Sequence, residues 1–146
     1  MARELRDGEL QLGLAGYEVN AIHRVPTWSF RMVHAETGEE LGTIRLRVGD
    51  SQHVVMYAGH VGYSVEERHP GNRYAERALR LLLPVVRRLG VETLWVTCDP
   101  ESVASRRTLE RIGARLVEGV DVRSDCVIFQ GGHPRKCRYR IDLVTD

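Results

Sequence analysis

Lysine occurs once in these 146 residues, at Lys136, although Lys and Arg together number 21. So skewed a usage points to coding preference more than to chemistry, and a lone arginine is weak evidence for a site. Acidic residues number 20 and the formal charge is +1, which excludes the one-signed field that announces a nucleic-acid partner. No apolar run approaches the roughly 18 to 20 residues of a membrane span, and Met1-Ala2-Arg3-Glu4 leads into charge instead of an apolar signal segment. A cytoplasmic protein without a membrane partner is the expectation. Cys98, Cys126 and Cys137 are odd in number and far apart, so neither structural disulfides nor a paired-cysteine zinc site is expected. His23, His34, His53 and His133 are too scattered for a metal site. Repeats and Pro/Gly/Ser linkers are missing as well, and hydrophobic residues make up 42% of the chain, which together imply a single domain over 1–146.

The hydropathy pattern reads as strands first and helices in the middle. Leu10 to Leu14 is a short strand. Trp28, Phe30 and Met32 alternate, and so do Ile44, Leu46 and Val48 opposite Arg45 and Arg47, which makes an antiparallel hairpin around Glu36-Thr37-Gly38. Val54 to Tyr57 reads as an extension of a neighbouring strand. Glycines inside the strand Gly59 to Val65 mark a bulge or a close backbone approach. Ala75, Ala78, Leu79, Leu82, Val86 and Leu89 recur at helical spacing up to the terminator Gly90, with Pro84 expected to kink or bend the helix. Thr93 to Cys98 is an apolar strand, and Ser102 caps a second helix that ends at Gly113. Ala114 to Val122, Val127 to Phe129 and Arg138 to Val144 complete a mixed α/β string.

Chemistry concentrates between Val61 and Leu82. A turn rich in glycine, asparagine and arginine immediately before a helix offers free backbone N–H groups and positive potential to a phosphate. His69-Pro70-Gly71-Asn72-Arg73-Tyr74-Ala75 has this character; Ala75 is small enough for close anion approach, and Arg68 or Arg73 adds charge-assisted donors. Neither GxxxxGK[ST] nor GxGxxG is present, so ordinary nucleotide readings lose their support.

The segment from Val61-Gly62-Tyr63-Ser64-Val65-Glu66-Glu67-Arg68 through Leu79 resembles the acetyl-CoA-binding segment of the GCN5-related N-acetyltransferase (GNAT) superfamily. Cys98-Asp99-Pro100-Glu101-Ser102-Val103-Ala104-Ser105 through Ala114 resembles its second characteristic stretch, in the same order and at a matching separation. The resemblance implies an acetyltransferase-like α/β fold: a mixed, mostly antiparallel sheet with a splayed central strand pair, flanking helices and a reduced N-terminal helical region. It implies acetyl-CoA as cosubstrate, held by Val65 and Glu66 along the pantetheine arm, by Arg68, Gly71, Asn72, Arg73, Tyr74 and Ala75 at the pyrophosphate, and by Ser102 and Ser105 on the far side. The implied reaction is direct transfer of an acetyl group to a primary amine of a small molecule or peptide, with Glu66 or Glu67 as base; the alternative is a noncatalytic acyl-CoA-binding or interaction module. Three departures stand out. In the family's Arg/Gln-x-x-Gly-x-Gly/Ala loop the first two fixed positions fall on Pro70 and Arg73, with Ala75 kept. Leu109 stands where a proton-donating tyrosine is common. Leu14 and Trp28 are too close, with Pro26 between, for the usual helices of the acceptor wall. A second copy of the chain is therefore expected to complete that wall. Sedimentation at tens of micromolar is expected to show a homodimer; a strictly monomeric species would place the acceptor site within one subunit.

Overall fold

The computed structural model describes residues 5–19, 25–66 and 72–143. Two antiparallel sheets share one core. The first holds β1 (Leu5–Asp7), β2 (Leu10–Val19), β3 (Pro26–His34), β4 (Glu40–Arg47) and β5 (Val61–Val65) in chain order. The second holds β6 (Thr93–Cys98), β7 (Arg115–Asp121) and β8 (Arg135–Asp142), with β8 in the middle. Helix α1 (Tyr74–Arg88) links the sheets, α2 (Val103–Ile112) follows β6, and the single turn α3 (Val127–Gln130) precedes β8. This is the mixed, mostly antiparallel α/β architecture that the sequence leads one to expect. Among the described residues, the π-helical turn Val54–Ala58 is the only helical element before β5, and no helix is long and apolar enough to cross a membrane.

Alternation along the strands decides what is buried. Leu10 and Leu12 of β2, Phe30 and Met32 of β3, and Ile44 and Leu46 of β4 turn one face of the first sheet toward Ala78, Leu79, Leu82 and Val86 of α1. Leu94 and Val96 of β6, Leu109 of α2, and Tyr139 and Ile141 of β8 belong to the same cluster. Polar ties fix the angle of α1. Arg77 reaches Asp7 and Glu9, Tyr74 donates its hydroxyl hydrogen to Glu9, and buried Glu76 pairs with Arg111 of α2. Pro84 lies on the exposed side of α1, where it leaves the Arg80 carbonyl without its helical donor, and the helix runs on to Arg88.

Several expectations are corrected. Leu10 to Leu14 is only the first half of a ten-residue strand, whose register slips between Leu14 and Gly16; its outer half leaves Leu14, Tyr17 and Val19 exposed. Val54 to Tyr57 is no strand: the amide of Val55 bonds the Ser51 carbonyl and that of Gly59 bonds Val54, winding the segment into a turn despite its β-branched residues. Val127 to Phe129 is helical for a similar reason, since the Gly131-Gly132 pair closes a turn behind it. Glu67, Arg68 and Gly71, with His69 and Pro70, lie outside the described residues, as does Val144.

The two sheets meet at one place. Gly59 holds φ 77°, and a Cβ there would come within 3.0 Å of the Thr97 nitrogen, so β6 passes directly against this backbone. Next to it the His60 amide donates to the Trp95 carbonyl at 2.6 Å, while the Trp95 amide donates to His60 Nδ1 at 2.8 Å. The opposite ring nitrogen, Nε2, lies 3.0 Å from Asp50 Oδ1. Beyond this contact, among the described residues, no ladder joins β5 to β6, and the sheets diverge. Replacing His60 with Leu strands the Trp95 N–H and is expected to lower stability by about 1–3 kcal/mol. Gly59→Ala is expected to act in the same direction through left-handed strain of about 1–2 kcal/mol. Urea midpoints of the two variants check both.

Candidate functional site

The register of β4 and β5 determines which backbone groups face the fork. Arg47 donates to the His60 carbonyl and Glu66 donates to the Leu41 carbonyl, and the ladder between them keeps that phase. In an antiparallel pair, alternate residues bond the partner strand and the others turn away. The N–H and C=O groups of Val61, Tyr63 and Val65 therefore face the divergence between the sheets, whereas those of Gly62 and Ser64 are engaged with β4. Val65 stands as a donor on the open edge. The Glu66 amide does not, because Leu41 takes it, and the Glu66 side chain is exposed.

Between the diverging strands lies a cavity of ≈ 330 Å³. Its walls come from Val61 to Tyr63 of β5, from Thr97 and Cys98 with the following Asp99, from Ser102 and Ser105 at the start of α2, and from His133 and Lys136 before and within β8. Arg47 and the π-helical turn close its inner end. Ser102 occupies the N-cap position of α2, yet its hydroxyl makes no capping bond. Tyr63 is hydrogen-bonded to Ser105, and burial pushes its phenol above the usual range. Burial and the neighbouring Cys137 also raise the Cys98 thiol, to about 11. Both groups keep their protons near neutral pH.

Asp99 behaves differently. Burial alone would raise its pKa, but the Lys136 ammonium, 3.2 Å from Oδ1, and His133, whose Nδ1 lies 2.7 Å from Oδ2, hold it below the ordinary carboxylate range. β6 and β8 create this meeting: Cys98 is paired with Cys137, so the next step along the ladder sets Asp99 opposite Lys136. Behind His133, the amide of Gly132 bonds Phe129 and that of His133 bonds Ile128, with Gly132 at φ 96°. That is a Schellman ending, which requires a left-handed residue and finds a glycine. The Gly131 to Lys136 segment thereby supplies His133 and Lys136 to the cavity wall. Asp99, His133, Lys136, Tyr63 and Arg47 were not singled out by spacing, since strand register and not sequence proximity joins them.

The start of α1 completes the picture. Arg73 precedes the helix at φ 56°, ψ 38°, and no side chain caps the first turn. The first helical bond runs from the Arg77 amide to the Arg73 carbonyl, so the amides of Tyr74, Ala75 and Glu76 point out of the helix end. Asn72 and Arg73 are exposed there, whereas the Tyr74 side chain is buried toward Glu9 and leaves only its backbone to a ligand. Leu109 is fully buried in the core. Trp95 is covered by the Arg138 guanidinium at 4.1 Å.

A family model described as "Acetyltransferase (GNAT) domain" matches residues 6–115. The chain belongs to the GNAT family. Solved GNAT-fold structures agree on the architecture. One is a Vibrio cholerae protein assigned as a ribosomal-protein-serine acetyltransferase, at TM-score 0.69 and 18% identity, covering 96% of this chain and 97% of that one. Another is a GNAT-family acetyltransferase from Bacillus anthracis, at TM-score 0.62 and 20% identity, covering 79% and 66%. A third is the microcin C7 self-immunity acetyltransferase MccE in complex with acetyl-CoA and AMP, at TM-score 0.62 and 14% identity, covering 80% and 61%. The chain thus spans just under two thirds of the length of the last two. No curated protein matches the sequence. The GNAT fold accounts for the splayed strand pair. Within it, a Cys98 thiol at about 11 is no nucleophile at neutral pH. Alkylation of Cys98 by iodoacetamide at pH 7.5, followed by peptide mass spectrometry, is expected to run at least tenfold slower than that of an unperturbed thiol and to accelerate with pH up to about 11.

Proposed function

We propose that the protein is an acetyl-CoA-dependent N-acetyltransferase that acts by direct transfer to a primary amine, within a single domain over 1–146. The observation that carries this reading is the open edge of β5, where the register turns backbone groups of Val61, Tyr63 and Val65 away from β4, the first two beside a cavity between the sheets. Such an edge holds an extended amide-bearing arm by strand-like hydrogen bonds, and the uncapped start of α1 offers amides and a positive dipole end to phosphates. The residues present therefore fit an acyl-CoA, which supplies the activated acetyl group. Acetyl-CoA in the MccE complex supports the same choice.

Arg73 clarifies the loop. Its left-handed conformation is one that glycine adopts at little cost and other residues rarely hold. Putting Arg73 on the last Gly/Ala position of the family loop moves the motif two residues earlier than the sequence suggests, with Arg68 and Gly71 on the other fixed positions. The loop departs from the pattern at one residue instead of two, and that residue keeps a glycine's geometry. Tyr74 and Ala75 then contribute backbone amides, Asn72 and Arg73 exposed polar side chains, and Ser102 and Ser105 hydroxyls from the opposite wall. For the leaving thiolate, the Tyr63 phenol bonded to Ser105 is the neutral O–H donor of the cavity, in place of the phenol missing at Leu109.

The buried Leu109 and the exposed Glu66 favour the second reading, an acyl-CoA-binding module without turnover. The exposed strip of Leu14, Tyr17 and Val19 supports a homodimer around the acceptor side. Isothermal titration tests the first reading: CoA and acetyl-CoA are expected to bind the wild type, and Ala75→Glu, which sets a carboxylate among the first-turn amides, to weaken both by at least tenfold. Equal binding by the two proteins removes the phosphate site, and bound acetyl-CoA without thiol release in the presence of amines establishes the module.

A further inference from the structure

Acyl transfer to an amine needs a base inside the cleft, because an alkylamine is a cation near pH 7 and its nitrogen attacks only after losing a proton. Glu66 is exposed and does not line the cavity. His133 and Asp99 do. The 2.7 Å contact between His133 Nδ1 and Asp99 Oδ2 orients the ring: an ionised carboxylate only accepts, so Nδ1 carries a hydrogen, and Nε2 is the nitrogen left to exchange a proton with an acceptor. The other oxygen of Asp99 faces Lys136, so the carboxylate is held from two sides and in turn holds the ring. The Schellman turn behind His133 restrains its backbone, and the ring is roughly half exposed, at 45%, within reach of an entering molecule. The remaining titratable and charged groups on the cavity walls are Arg47, Tyr57, Tyr63 and Cys98. Tyr63 and Cys98 are held protonated by burial, and Arg47 is a cation whose Nη1 donates to the Ala58 and Gly59 carbonyls. Among these described residues, His133 is the cavity-lining side chain with a ring nitrogen that can take up a proton.

We propose that His133 is the catalytic base of acetyl transfer, with Asp99 as its positioning residue; the assignment rests on the acetyltransferase reading above. The acceptor nitrogen passes a proton to Nε2 of His133, and its freed lone pair forms the N–C bond to the thioester carbonyl carbon. The C–S bond breaks with its electron pair on sulfur, the CoA thiolate takes up a proton from the Tyr63–Ser105 side, and the amide nitrogen sheds its second proton to solvent, from which that donor is reprotonated. No oxidant or further reactant is required. Asp99 stabilises the imidazolium that forms and adds a negative charge that attracts an ammonium-bearing acceptor to this end of the cavity.

The test follows thiol release from acetyl-CoA with two kinds of acceptor: cationic alkylamines (spermidine, tyramine and trialanine) and hydroxylamine, which is already neutral at pH 7. His133→Gln is expected to lower kcat for the best cationic acceptor by about 10²- to 10⁴-fold, to lower hydroxylamine turnover by no more than a few-fold, and to keep acetyl-CoA affinity. Imidazole added to His133→Ala is expected to restore part of the lost rate. Asp99→Asn is expected to lower kcat at least tenfold with little change in the acetyl-CoA KM. Wild-type rates in His133→Gln overturn the assignment, and so do equal losses with both kinds of acceptor without imidazole rescue, or a loss in Glu66→Gln alone. A wild type inactive on every amine overturns the acetyltransferase reading instead, and the assignment falls with it.

Discussion

The bond pair between His60 and Trp95 is the constraint on which the rest of the molecule depends. One residue lends its amide to the second sheet, its carbonyl to Arg47 of the first, and its ring nitrogen back to the second. Since β5 continues along β4 while β6 follows β8, the two strands are joined where β5 starts and β6 is half-way, and part as they run. Right-handed twist in each sheet drives the divergence, and register decides that the backbone groups left over are those of Val61, Tyr63 and Val65. A pin placed further along β5 would close the ladder and abolish the cavity.

Within the cavity, the same loss of water acts in opposite senses according to the neighbours. At Tyr63 and Cys98 burial wins, at Cys98 over the opposing pull of Lys136 and Arg106, and both stay protonated. Asp99 has Lys136 and His133 beside it and stays ionised. The site is thereby polarised. Amides at the start of α1 favour an anion, and a carboxylate between β6 and β8 favours a cation, which is the arrangement wanted by a phosphate-bearing donor and an ammonium-bearing acceptor.

Much of the framework was legible because its signals are local. Helix α1 announces itself by its apolar spacing and Gly90, α2 by Ser102 and Gly113, and the hairpin of β3 and β4 by strict alternation. Gly59 was marked as a place of close approach, and Thr97 lies against it. The misreadings share a cause. Val54 to Tyr57 and Val127 to Phe129 are β-branched or aromatic runs that propensity assigns to strands, but Ser51 and the Gly131-Gly132 pair close turns around them. The acceptor end of the cavity was hidden for another reason. Asp99 and His133 are 34 residues apart, and only the alignment of Cys98 with Cys137 brings their neighbourhoods together.

The scarcity of lysine takes on meaning beside that site. Basic charge carried on guanidinium leaves the surface without nucleophilic side-chain amines, because arginine stays protonated throughout the working range of proteins. The single lysine side chain stands in the cavity wall at 15% exposure, its ammonium set against Asp99. On the acetyltransferase reading proposed above, a chain built this way sets one lysine nitrogen beside its activated acyl group, and the carboxylate that orients the base is also that nitrogen's ion-pair partner.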